Sequence, residues 1–310
     1  MLRNNGDKSS SVIDLFESKE LITMCAPMVR YSKLPFRMLV RKYGCDVAFT
    51  PMIISRSFVE SEKARHSDFT TAAGDRPLIV QFAANNGIDF ADATEIVCRY
   101  SDGVDLNCGC PQSWVLADGY GACLLSKPEL VQDMIQQVRN RISDAKYTVS
   151  LKIRLHDDIR HSIEFCRQAQ QAGASWISVH GRTKSQRNEP VNVDAIKLIK
   201  ESLTIPVIGN GDIFSLTDAL RFHKQTGVNG VMSARGLLQN PSLFCGTEVT
   251  SSSCIKDWIN LSLSFGATFT NIHHHLMFML EKIMPRSERK LFNSYTCLAS
   301  VLDHLNEFSF

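Results

Sequence analysis

The sequence predicts an α/β fold: a parallel (β/α)8 TIM barrel followed by a small all-helical domain. Three observations predict it. Eight short apolar runs recur along the chain, each closing on a polar or glycine-containing corner. The stretches between them carry helical spacing, as at Leu130, Met134 and Val138. The segment ending near residue 245 also matches the ~250 residues typical of such a barrel.

The runs are Leu21–Pro27, Asp46–Met52, Pro77–Ala83, Gly103–Gly109, Thr148–Arg154, Ser175–Gly181, Ile205–Gly211 and Gly230–Gly236. Most are rich in Val and Ile. Near-continuous apolar runs suit parallel strands covered on both faces. A doubly wound open sheet is the alternative; the count of eight favours closure. Residues 1–19 read as a flexible N-terminal tail and 20–245 as the barrel. The polar stretch Cys245–Ser253 reads as a linker, and 255–310 as the helical domain. Leu261, Phe265, Leu276, Leu280, Leu291, Leu298 and Leu302 are the expected lining of its helix faces.

Bulk numbers exclude some classes. Of 310 residues, 44% are hydrophobic, enough for a sizeable core, and the net charge is only +2. Any polyanion site is therefore a local patch. Ten cysteines lack a disulfide-scaffold spacing, and Met1–Ser11 lacks the apolar core of a signal peptide. The protein is expected inside the cell, in the cytoplasm or alternatively the nucleus. No stretch approaches the ~20 apolar residues of a membrane span.

Active sites of such barrels gather at the C-terminal strand ends. The first strand ends in Ala26-Pro27-Met28, which leaves room for a flat ligand or is an ordinary stop. Gln81 offers donors and an acceptor matching the pyrimidine edge of a flavin, or is a satisfied core amide. Lys152 and Arg154 share one side of their strand and need an anion, either a ligand or a barrel carboxylate. His180, before Gly181 and Arg182, is a ligand or a core histidine. Asn210-Gly211-Asp212 and Ser233-Ala234-Arg235-Gly236 end the last two strands, where barrels commonly bind phosphate. Cys108-Gly109-Cys110 leaves three readings open: half a metal site, an inert thiol, or a side chain aimed into the mouth. No second cysteine pair stands at zinc-ligand spacing, so no metal is expected. His273-His274-His275 reads as a solvated helix face. Arg286, Arg289 and Lys290 form a small basic cluster at helical spacing, which by itself reads as a solvated face.

Taken in order, Ala26-Pro27-Met28, Gln81, Asp105 to Pro111, Lys152-Ile153-Arg154, His180 to Thr183, Asn210-Gly211-Asp212 and Gly230 to Gly236 resemble the tRNA-dihydrouridine synthases. Thr50-Pro51-Met52 and Val231-Met232-Ser233-Ala234 are most like the eukaryotic branch acting on D-loop uridines 20a and 20b. Ala234 stands where the family often has glycine.

The resemblance implies FMN held by Pro27, Met28, Val29, Gln81, Lys152, His180, Asn210, Gly211, Asp212, Ala234 and Arg235. It implies NADPH or NADH as electron donor. It implies tRNA as partner, met by Asn107, Arg154, Arg182, Lys184 and Arg187, with Arg286, Arg289 and Lys290 set to meet RNA phosphate, and gripped by the helical domain. The enzyme is expected to be a monomer. Hydride then passes from flavin N5 to uracil C6, and Cys110 protonates C5. An ordinary thiol, with a pKa near ~8.5, is mostly protonated at pH 7 and suits that role. Lys152 is then expected to act on the flavin, not on Cys110. The uracil must leave its stack to be reached. A reductase of free pyrimidines and a non-catalytic RNA-binding barrel are the competing readings.

Overall fold

Nine parallel strands form one sheet among residues 11–307, the part of the chain that this computed structural model describes. They are β1 (Ile22–Cys25), β2 (Val47–Phe49), β3 (Ile53–Ile54), β4 (Leu78–Ala83), β5 (Gly103–Cys108), β6 (Thr148–Leu155), β7 (Trp176–Thr183), β8 (Val207–Asn210) and β9 (Gly230–Ser233). β1 pairs with both β2 and β9, and β2 passes directly to β4. The sheet therefore closes, and an open doubly wound sheet is excluded. Seven predicted runs hold one strand each. The run Asp46–Met52 holds only Val47–Phe49, because Pro51 has no N–H to extend the ladder; the chain rejoins β4 as β3.

Alternation sorts the side chains. On β6, Val149, Leu151 and Ile153 join the outer core beneath the helices. Ser150 and Lys152 point inward, since they bond across the barrel to Asp105 on β5 and Asn210 on β8. The register between β6 and β7 shifts after Arg154, which pairs with His180 while Leu155 pairs with Thr183. Such a bulge re-aims side chains at a barrel rim, and here it frees Arg182 to turn inward.

The N-terminal half of the barrel is plugged by Ile22, Met24, Phe49, Ile79, Trp176, Ile208 and Met232. A helix, Val12–Ser18, covers that end, which corrects the expected tail over 1–19. Ser11 and Asp14 cap it reciprocally at 3.1 and 3.0 Å. Val12 is fully buried, and the Phe16 ring lies 5.5 Å from that of Trp176. Residues 1–10 lie outside the described part. Phe16→Ala is expected to destabilise the protein by about 1–2 kcal/mol, less than a fully buried Phe because the ring is half exposed. A downward shift of the urea midpoint checks this.

Four helices follow the barrel: Ser252–Ser264, Phe269–Met279, Arg286–Phe292 and Leu298–Glu307. The first packs on the barrel helix Leu34–Lys42, with Lys42 Nζ 2.7 Å from Asp257. Leu276 and Leu280 are buried as expected, but Phe265 and Leu291 are exposed. The triple-histidine segment is also not a solvated face. His275 stacks between Phe36 and Trp258, with centroids 4.5 and 4.4 Å away, and its Nε2 meets the carbonyl of Tyr31 at 3.2 Å. His273 Nε2 meets that of Phe292 at 2.9 Å. The helix is sandwiched between barrel and terminal helices, so two of its faces are buried. Burial holds the His275 imidazole down to about 3, so it stays neutral. No helix among the described residues is long and apolar enough to cross a membrane.

Candidate active site

Three inward-facing polar residues sit where β4 and β5 end. Asp105 is fully buried, as are Gln81 and nearly all of Asn107. Gln81 Nε2 donates to Asp105 Oδ2 at 2.8 Å, and Asn107 Nδ2 donates to Gln81 Oε1 at 2.9 Å. Asn107 Oδ1 then accepts the backbone N–H groups of Gly109 (3.2 Å) and Cys110 (2.9 Å). This turn ends β5 and sets Cys110 on the rim, half-buried beside Met52, Ile54 and Tyr120. Gly121 secures it from the other side. Its φ is +63°, and a Cβ there would fall 2.6 Å from the Cys110 carbonyl. The glycine lets the Ala122 N–H reach that carbonyl at 3.0 Å. Cys108 instead faces the outer core, where burial pushes its thiol well above the ordinary range.

Across the mouth, Lys152 Nζ donates to Asn210 Oδ1 at 3.0 Å, and Asn210 Nδ2 donates to the Met232 carbonyl at 2.8 Å. Burial first, then Arg154, pulls the Lys152 ammonium down to about 8, although Asp105 and Cys110 oppose that. His180 is held neutral, down to about 2, by burial and then by Lys152, Arg154, Arg182 and Arg235. Arg182 Nη1 lies 3.3 Å from His180 Nε2. A guanidinium only donates, so Nε2 accepts and Nδ1 keeps the proton.

Beyond β8 and β9 lies a cavity of about 270 Å³ lined by four arginines (154, 182, 187 and 235) against one carboxylate, Asp212. It is an anion cradle by charge. Gly211, at φ +123°, is required: a Cβ would sit 2.3 Å from Val191 and 3.1 Å from the His180 ring. Ala234 has a negative φ, −118°, so its methyl does not meet the left-handed backbone that requires glycine. A short helix, Arg235–Gln239, starts there, and Gly236 packs it against the Ile213 carbonyl. These features fit a phosphorylated, acceptor-rich ligand. Gln81, buried, and Lys152 and His180, half-buried, are donors with capacity left over, and Gly211 keeps the cradle open.

Other expected residues distribute unevenly. Pro27 and Met28 are half-buried at the end of β1, but the Val29 side chain is exposed. Ser32, hydrogen-bonded to Met28 N at 3.0 Å, folds that loop so that Val29 faces outward. Arg154 lines the cradle while donating to the carbonyls of Thr183 and Gln186. Lys184 is exposed on the loop after β7. Arg182, expected among RNA contacts, is turned inward and 2% exposed. Its guanidinium grips Asp212 at 2.6 and 2.7 Å and the Glu189 carbonyl, so it props the cradle wall. Asp212 also lies 3.5 Å from Arg235, which leaves its carboxylate committed to arginines. Arg187, expected with Lys184 as an RNA contact, lines the cradle. Asp105 was not in the expected set, although it carried a signal, a carboxylate inside an otherwise apolar strand. Among the described residues no cluster of His, Cys, Asp and Glu could hold a metal.

A parallel barrel with an anion cradle after its last two strands and a rim cysteine facing it is a phosphoryl-ligand-binding barrel enzyme. The chain belongs to the dihydrouridine synthase (Dus) family, whose profile matches residues 24–303. It is 54% identical over 301 residues to the tRNA-dihydrouridine(20a/20b) synthase [NAD(P)+]-like protein of Mus musculus, covering 97% of this chain and 93% of that one. It is 41% identical over 292 residues to the tRNA-dihydrouridine(20a/20b) synthase [NAD(P)+] of Saccharomyces cerevisiae, covering 92% and 79%. In fold it is similar to the old yellow enzyme from Trypanosoma cruzi, with a TM-score of 0.52 and 9% identity over 71% of this chain and 86% of that one.

Proposed function

We propose that this chain reduces the C5–C6 double bond of uridines 20a and 20b in the tRNA D-loop, using FMN and NADPH or NADH. The observation that carries this reading is the placement of the Cys110 turn opposite the anion cradle on one rim. The relatives' names supply the substrate.

The cradle of Gly211, Asp212, Ala234 and Arg235 suits the FMN phosphate, and Gln81, Lys152, His180 and Asn210 suit its ring. Bound flavin supplies the hydride that reaches uracil C6. Cys110 delivers the proton to C5, so one NAD(P)H and one proton are consumed per dihydrouridine. Asn107, buried at the foot of the turn, holds the thiol in place. Lys152 remains charged at neutral pH and balances the anion.

A groove of about 970 Å³ supports tRNA over a free pyrimidine. Tyr31, in the loop after β1, and Phe278 form its aromatic floor, with rings 5.4 Å apart and edge to face. Arg286, Arg289 and Lys290 line its wall. These three cations suit the phosphates of an RNA backbone. Asn271 and His275 fasten this helical part to the β1 loop at Arg30 and Tyr31, so the groove abuts the mouth.

The test is to map dihydrouridine in tRNA from cells lacking this protein. Loss at 20a and 20b is expected, and an unchanged map overturns the substrate. Purified protein that is colourless and cannot be reconstituted with FMN overturns the cofactor.

A further inference from the structure

The roles above leave one buried charge at the site unused. Asp105 lies beneath Gln81, fully buried, and accepts from Gln81 Nε2 at 2.8 Å and from Ser150 Oγ at 2.7 Å. It touches neither the rim nor the cradle. It does begin an unbroken chain of hydrogen bonds that ends on the backbone of Cys110.

We propose that Asp105 is a positioning residue for Cys110: its carboxylate fixes which way the Gln81 and Asn107 amides point, and so holds the turn that carries the thiol. This rests on the reading of Cys110 as the proton donor.

The argument is one of polarity. A carboxylate offers acceptors only, so Gln81 must present Nε2 to it. Gln81 Oε1 is then the atom turned to Asn107, which must answer with Nδ2. That leaves Asn107 Oδ1 for the N–H groups of Gly109 and Cys110, which can only donate. Reversing Asn107 sets its Nδ2 against two backbone N–H groups and strands them; reversing Gln81 sets its Oε1 against the carboxylate and its Nε2 against Asn107 Nδ2. In the low-dielectric barrel interior such a loss is costly. The two ends of the chain therefore demand the same orientation. Each amide also keeps a spare N–H, so whatever lies over Gln81 and Asn107 meets donors.

Polarity also decides the informative substitutions. Asp105→Asn retains one acceptor: its oxygen can face Gln81 while its amide faces Ser150 Oγ, which can accept. Asp105→Leu has a similar size and no acceptor. In Asp105→Leu, dihydrouridine formation in single turnover with pre-reduced enzyme should fall about tenfold, the cost of loosening the bonds that hold the turn. Flavin reduction by NADPH should slow less than product formation, since Gln81 and Lys152 at the flavin lose a neighbour and not their own side chains. Asp105→Asn should restore dihydrouridine formation to within about twofold. Alkylation of Cys110 by N-ethylmaleimide, followed by peptide mass spectrometry on flavin-free protein, should change in rate in Asp105→Leu and not in Asp105→Asn. Exposed Cys297 serves as the internal reference.

Two half-reactions falling in parallel overturn the proposal, since that is what general loosening of the barrel gives. So does no change in either, or an Asn variant as impaired as Leu. If Asp105→Leu does not fold, Asp105→Asn still decides: loss of product at parental flavin reduction refutes the polarity argument, and retention supports it. A parent protein that makes no dihydrouridine sinks the functional reading instead, and is distinguishable because it needs no variant.

Discussion

Cys110→Ala should bind flavin and accept electrons from NADPH as the parent does, yet form dihydrouridine about a thousandfold more slowly. General acid catalysis by a positioned side chain contributes ~10²–10⁴ in rate. The thiol is the only side-chain proton that the β5 turn sets at the rim, and the clamp by Asn107 and Gly121 has no evident structural purpose otherwise. Single-turnover reduction of tRNA, followed by nucleoside mass spectrometry, measures product; stopped-flow bleaching of the flavin measures the earlier step. Cys108→Ala is the matched control. That side chain faces the outer core, so its loss should cost stability and leave both steps near parental rates. Parental product yield in Cys110→Ala would refute the assignment.

The legibility of this site follows from the physics of a closed barrel. Strands covered on both faces read as apolar runs, so their places along the chain could be found without contacts. Strand ends with functional residues stood out because Lys152, His180 and Asn210 interrupt such runs. What the sequence hid was direction. Arg182 follows His180 in a motif that reads as a surface loop, but the bulge after Arg154 extends β7 and turns the guanidinium onto Asp212. Asp105 reads in the sequence as one residue of a motif without a task of its own, because its task exists only through Gln81 on the neighbouring strand. The helix Val12–Ser18 did leave a local mark, a Ser11-to-Asp14 capping box before apolar residues. The buried His273 and His275 left none, since three adjacent helix positions cover most of the circumference and only packing decides which are wet.

Lys152→Met is the other large effect. The side chain is half-buried, and among the described residues its hydrogen bond goes to the Asn210 amide oxygen, so its charge is left for a ligand. Its neighbour Asp105 is itself pushed up to about 6 by burial, and its oxygens are already taken by Gln81 and Ser150. Removing a preorganised donor of this kind typically costs ~10²–10³ in rate, so flavin reduction by NADPH should slow about a hundredfold. Flavin should also bind more weakly, because a flavin ring that gains negative charge on reduction loses its balancing cation. The pH dependence carries the sign. Burial lowers the free Lys152 to about 8, and a bound anion must raise it. Below that value the lysine is already charged and binding needs no proton. Above it, binding must draw a proton from solution, so affinity for the anionic ring falls as pH rises from about 8. Methionine cannot titrate, so this alkaline limb should vanish in Lys152→Met while the weaker binding persists at every pH. Anaerobic titration with the reduced flavin from pH 6 to 10, followed by absorbance, measures it. A limb that survives the substitution would assign the titration to another group and leave Lys152 a merely structural amine.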